Sequence, residues 1–159
     1  MARAQDVAEY FIALAKHSGD TSVTNLKIQK LVYYAQAWYL ANFDKPLFEE
    51  DFQAWVHGPV IPELYQQYKE FSYKPLDINV TLDQVEPRFK PEELEFLKEV
   101  AKVYMPSGGY ELELMTHNED PWKIARGSLA PEEHSDKVIS KDSMFSYYSA
   151  VLENGDQEG

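Results

Sequence analysis

The residues able to do chemistry fall in three places. Thr116-His117 is followed closely by Glu119 and Asp120. An imidazole beside two carboxylates has the makings of an oriented acid–base pair. His57 stands directly before Gly58-Pro59, where a turn could present it as a general base or a polar anchor. Lys27, Gln29, Lys30 and Gln36 interrupt an otherwise apolar stretch and could form a binding constellation. Each place also has a structural explanation. Thr116 and His117 would satisfy the last carbonyls of one helix, Asp120 would cap the next, Pro121 would occupy its first turn, and Trp122 would plug the core. His57 would be a turn histidine bonded to backbone. Lys27 and Lys30 would run their stems over neighbouring rings to reach water, while the glutamines tie the helix to loops. For His57 and for Thr116–Trp122 the structural explanation is preferred; for the central constellation the two stand level.

Other chemistries lack their residues. The histidines, His17, His57, His117 and His134, contain no pair at helical metal spacing, and the chain has no cysteine. No metal and no cofactor are expected. Gly108-Gly109 is not followed by Gly-Lys-Ser/Thr and reads as a turn rather than a phosphate loop. No serine, threonine or carboxylate pair sits in a catalytic frame, so the chain reads as a non-enzyme.

The elements that must position these residues are mainly helical. Asn25–Trp38 has no Gly or Pro and is apolar nearly all round, the signature of a buried central helix. Thr24 is placed to cap it and Asp44-Lys45-Pro46 to stop it. Ala4–His17 reads as a first helix ended by Gly19. Phe52–Val56 reads as a strand, Gly58-Pro59 as a break, and Pro62–Phe71 as a helix opened by its proline. Lys74–Lys90 reads as an extended excursion with a small strand at Ile78–Thr81. Helices are expected over Pro91–Val103, Tyr110–Thr116 and Pro121–Arg126. Val138–Ser140 is expected to pair with Phe52–Val56, and Ser140 or Asp142 to open a helix over Ser143–Leu152. The pattern predicts one mainly α domain with a small antiparallel β-sheet over residues 1–153, followed by an acidic flexible tail at 154–159. Trp38, Trp55 and Trp122 are expected in the core.

Composition narrows the function. At 159 residues and 44% apolar, the chain can build a single core. No apolar run approaches a membrane span, and Met1–Asp6 does not resemble a signal peptide. With no cysteine, the pattern suits a reducing cytoplasm. The net charge of −12 and the lack of a basic stripe argue against direct nucleic-acid binding. A basic protein partner fits that charge better.

Three stretches together resemble one family. They are Leu26, Lys27, Gln29, Lys30, Leu31, Tyr33, Tyr34, Ala35, Gln36 and Trp38; Ala54-Trp55-Val56-His57-Gly58-Pro59 with Tyr65 after it; and Met115-Thr116-His117 leading to Pro121-Trp122. In this order they resemble the Panacea-domain family of SocA-like antitoxins, with Ile28 and Met115 where that family more often has Leu. The resemblance implies an antitoxin of a bacterial or phage toxin–antitoxin module that neutralises a cognate protein toxin by direct stoichiometric binding. Implied partners include nucleotide-transferring toxins related to alarmone synthetases. An implied alternative is an adaptor that delivers the toxin to a Clp protease; an enzyme using the His117 region is a further one. No DNA-binding extension is expected. Residues shared among antitoxins of different toxins should hold the fold, so an acidic and aromatic toxin-facing surface is expected at the exposed edges of the helices and in Ser72–Lys90, with Phe71, Tyr73, Lys74, Asp77, Asp83 and Glu86 as candidate contacts.

Overall fold

The computed structural model describes residues 1–158. Helix α2 (Asn25–Phe43) is the axis of the molecule, with fourteen of its nineteen residues buried. Around it pack α1 (Ala4–Ser18), α3 (Pro62–Tyr68), α5 (Pro91–Tyr104), α6 (Gly109–His117) and α8 (Lys141–Glu158). The local signals explain where α2 begins and ends. The Thr24 hydroxyl accepts from the Lys27 amide at 3.2 Å, and Asp44 closes the helix at a left-handed φ of 54°. Gly19 ends α1 in the same region, at φ 74°.

A three-stranded antiparallel sheet lies against this bundle, in the order β2 (Gly58–Val60), β1 (Phe52–Trp55), β3 (Val138–Ile139). The expected pairing of Val138 with Phe52–Val56 is present, with Phe52 opposite Ile139 and Gln53 opposite Val138. Gly58-Pro59 is not a break but part of a strand, with Pro59 opposite Ala54. β2 is an edge strand, where a residue without an N–H is tolerated.

The excursion after α3 is also more ordered than its prolines suggested. Ile78–Thr81 forms no strand. Thr81 instead caps the short α4 (Leu82–Val85) in a reciprocal box with Gln84. The Thr-x-x-Gln spacing favours a helix start over continued extension. A 3₁₀ turn, Glu86–Arg88, follows, and Arg88 pins it to α1 through Asp6 at 3.1 Å and Glu9 at 2.8 Å. Helix α7 (Asp120–Arg126) and α8 complete the chain. Ser140 caps α8 by accepting from the Ser143 amide at 3.1 Å. Backbone helix continues to Glu158, past the expected end at Leu152. Of the expected tail at 154–159, Gly159 lies outside the described residues.

The tryptophans divide. Trp122 is buried at 7% exposure, and its indole N–H donates to the Trp55 carbonyl at 2.8 Å. Trp38 and Trp55 are only half-buried, contrary to expectation. Each sits at the edge of the core where its N–H finds a side-chain partner: the Tyr104 hydroxyl at 2.5 Å and Gln53 Oε1 at 2.8 Å. On β1, Phe52 and Ala54 take the core face, which leaves Trp55 on the other. Trp122→Ala is therefore expected to cost about 3–5 kcal/mol in urea unfolding, and Trp55→Ala clearly less. Equal losses would mean that the two rings are equivalently packed.

Candidate functional site

The polar residues of α2 point inward, each to a different neighbour. Lys27 Nζ donates to the Met105 carbonyl at 2.6 Å and to Ser22 Oγ at 2.8 Å. Gln29 donates to Asn25 Oδ1 at 3.0 Å and accepts from the Ile61 amide at 3.1 Å. Lys30 Nζ donates to the Pro59 carbonyl at 3.1 Å. Gln36 donates to the Phe48 carbonyl and accepts from the Leu47 amide, both at 2.7 Å. Of the two readings of this constellation, the one in which Lys27 and Lys30 reach water does not hold: they are 1% and 0% exposed. Their stems are too deeply enclosed to snorkel, so their ammonium groups bind backbone carbonyls instead. Burial lowers the pKa of both. For Lys27 the opposing pull comes from Asp20 and Glu111. Lys30 is pushed down to about 7, with Glu113 pulling the other way.

Lys30 also explains the glycine of the second motif. Gly58 has φ +103°, and a Cβ there would lie 2.6 Å from Lys30 Cε and 2.9 Å from Thr116 Oγ1. The hairpin thus closes directly over the lysine stem. His57, at the hairpin tip, is exposed and contacts Glu113 on α6 at 3.2 Å through Nδ1. Its partner is this carboxylate and not the backbone. Nothing in the sequence links residues so far apart.

The third motif does not assemble as an acid–base pair. Thr116 Oγ1 donates to the Glu113 carbonyl at 2.7 Å inside α6. The His117 ring stacks on Trp122 at 4.1 Å, its Nε2 is buried without a partner, and burial lowers its pKa. Asp120 does not cap α7; it is the first residue of that helix and lies 3.8 Å from Lys123. Glu119 precedes the helix and turns the other way, its Oε1 accepting from Tyr34 and Tyr148, each at 2.7 Å. Tyr148 also meets the Tyr33 hydroxyl at 3.1 Å, and Tyr34 stacks on Tyr104 at 4.2 Å. Burial raises the Glu119 pKa, with the two phenols acting against the rise. Burial likewise raises the phenol pKa of Tyr33 and Tyr34. This carboxylate therefore joins α2, α7 and α8 rather than serving a histidine.

Sequence reasoning missed a further buried cation. Arg126, in the last turn of α7, donates to the Ala54 carbonyl at 3.0 Å, the Ala130 carbonyl at 2.9 Å and the Glu133 carbonyl, folding the loop after α7 against β1. A basic residue in a last helical turn before Gly127 was the available signal. Among the described residues no cluster of three or more His, Asp or Glu is placed to hold a metal ion, and no helix is long and apolar enough to cross a membrane.

The other motif residues are distributed through the fold. Leu31 is fully buried, Pro121 is buried, and Leu26 and Tyr65 are half-buried beside a cleft of about 740 Å³ that lies along the hairpin. The expected toxin contacts do not share one place. Tyr73 is 81% exposed and borders this cleft. Phe71 is half-buried and Lys74 exposed. Asp77 lies 3.7 Å from Lys16 of α1, while exposed Asp83 and half-buried Glu86 belong to the α4 region that packs on α1.

A family model described as antitoxin SocA-like, Panacea domain, matches residues 28–123, more than half of the chain. Antitoxin SocA of Caulobacter vibrioides (strain NA1000 / CB15N) is 40% identical over 47 residues, which cover 30% of this chain and 25% of that protein. The match thus spans about a quarter of the curated relative's length. No solved structure is significantly similar to the chain.

Lys30 gives this arrangement a pH signature. Its folded pKa lies below the unfolded value, so between pH 7 and 10 the unfolded chain binds the extra proton and stability rises with pH. One such group contributes roughly 1.4 kcal/mol per pH unit. The buried tyrosines act only near pH 10 and above, where raised phenol pKa values make stability fall again. Lys27 has the same sign as Lys30 and leaves a residual slope. Urea unfolding from pH 7 to 9.5 should show this rise, and Lys30→Met should reduce it by about one proton. An unchanged slope in Lys30→Met would mean that the lysine is charged throughout this range.

Proposed function

The chain belongs to the SocA-like antitoxin family, with its Panacea domain, and on that premise we propose that it neutralises a cognate protein toxin by direct, stoichiometric binding without catalysis. Family membership carries this reading. The relative named Antitoxin SocA supports it over a short span. The state of the motif side chains supports the non-catalytic part. Lys27, Gln29, Lys30, Gln36, Thr116 and Glu119 are engaged in internal hydrogen bonds, and His117 faces a tryptophan. Motif residues that build the scaffold leave toxin choice to the surface.

Association of this kind needs no reacting group. A patch of about 800 Å² per partner with a few well-packed aromatic anchors suffices for tight inhibition. The partner is a protein toxin, with nucleotide-transferring enzymes related to alarmone synthetases as one class.

The test is a titration of the purified product of the reading frame adjacent to this gene, assayed as a toxin, in the absence of any protease. Inhibition should saturate near one chain per toxin and reverse on separation. Inactivation by a small fraction of an equivalent, persisting after the chain is removed, would reject the proposal in favour of an enzyme. Suppression only when a Clp protease is added would replace direct inhibition with delivery to that protease.

A further inference from the structure

The cleft along the β1–β2 hairpin is lined in part by Asn25, Gln29 and Lys30, which tie α2 to the hairpin and α3, and in part by aromatic side chains. Its volume of about 740 Å³ falls within the range of sites that enclose a ligand or an inserted side chain. Trp55 and Tyr65 meet edge to face at 5.1 Å, both half-buried. Tyr73 and Tyr110 stand 81% and 66% exposed. Single exposed rings are ordinary on protein surfaces. Four rings gathered about one concavity form the kind of site in which tyrosine and tryptophan anchor partners at little entropic cost.

The charge of the lining runs against that of the molecule. The chain carries −12 with its histidines neutral, yet the cleft is lined by two lysines, Lys30 and Lys69, against one carboxylate, Glu113. That carboxylate is already engaged by His57 at 3.2 Å. Lys30 is closed to solvent, whereas Lys69 is exposed and makes no ion pair among the described residues. The groove therefore offers an apolar seat beside a free cation.

We propose that this cleft receives a segment of the partner toxin that presents a bulky apolar or aromatic side chain next to a carboxylate; the inference rests on the antitoxin reading above. The ring seats among Tyr73, Tyr110 and Trp55, and the carboxylate pairs with Lys69. The overall acidity of the chain governs which partners approach, and the cleft selects among them at short range. This places recognition at the rim of the second family motif, where Trp55 and His57 are the scaffold's own contribution. The neighbouring residues Lys69, Tyr73 and Tyr110 complete the fit.

The probe is the purified product of the reading frame adjacent to this gene, and the readout is its affinity for the full chain. The variants are Tyr73→Ala with Tyr110→Ala, Lys69→Glu, and Val103→Ser as a control at an exposed apolar position outside the cleft. All four positions are exposed, and unchanged melting curves establish that the variants fold. The double tyrosine variant should bind about tenfold or more weakly, Lys69→Glu about fivefold more weakly, and the control within about twofold of wild type. Wild-type affinity in the tyrosine variant would overturn the inference while leaving the antitoxin reading intact. Tighter binding by Lys69→Glu would reject a carboxylate in the cleft. If the wild-type chain itself fails to bind or inhibit the toxin, the antitoxin reading fails, and this inference with it.

Discussion

A helix buried on every side must find indoor partners for each of its polar side chains, and α2 carries Lys27, Gln29, Lys30 and Gln36. An unsatisfied buried group costs about 1–3 kcal/mol, so these four cannot be bystanders. Each reaches backbone of a segment far along the chain: Met105, Ile61, Pro59, and Leu47 with Phe48. The irregular parts of the protein are thereby fixed to its most regular part. The hairpin shows the consequence. Pro59 cannot donate to a sheet, and Gly58 adopts a φ that side-chain-bearing residues avoid. Lys30 binds the Pro59 carbonyl and Gln29 the Ile61 amide just beyond it, which fixes this strand to α2.

This arrangement separates architecture from recognition. The residues that carry the family resemblance are consumed by ties among α2, the hairpin, α6 and α7. Glu119 adds a second tie, joining α2 to α8 through two phenols. A scaffold fixed from within can change its surface residues without losing its shape. One place where the motifs reach the surface is the hairpin tip, beside the aromatic cleft.

Regular elements were legible in the sequence wherever a periodic apolar pattern met a clear boundary. Thr24, Gly19 and Ser140 each mark a helix end by local chemistry, and each does so in the structure. β2 was not legible, because Gly58-Pro59 looks like a break until the lysine that stabilises it is known. Thr81 was passed over because two prolines suggested an extended chain, although its capping box with Gln84 is a local signal. For Lys27 and Lys30 the sequence left a water-facing reading and a binding constellation level. Only the packing of α2 on all sides shows that their ammonium groups have no water to reach. The Glu113–His57 contact and the Glu119–Tyr148 bond join residues with no sequence pattern between them. Such pairs are products of tertiary packing alone.

The most direct test of this account is amide hydrogen exchange at Ile61 and Leu47, the two backbone donors that Gln29 and Gln36 accept from. Replacing each glutamine by leucine keeps a side chain of similar size on α2 but removes its hydrogen-bonding amide. If the buried polar groups of α2 hold the flanking segments, Gln29→Leu should lose protection selectively at Ile61 and Gln36→Leu at Leu47, while the amides within α2 remain slow. Undiminished protection at Ile61 and Leu47 in these variants would contradict the account and assign the order of those segments to apolar packing alone.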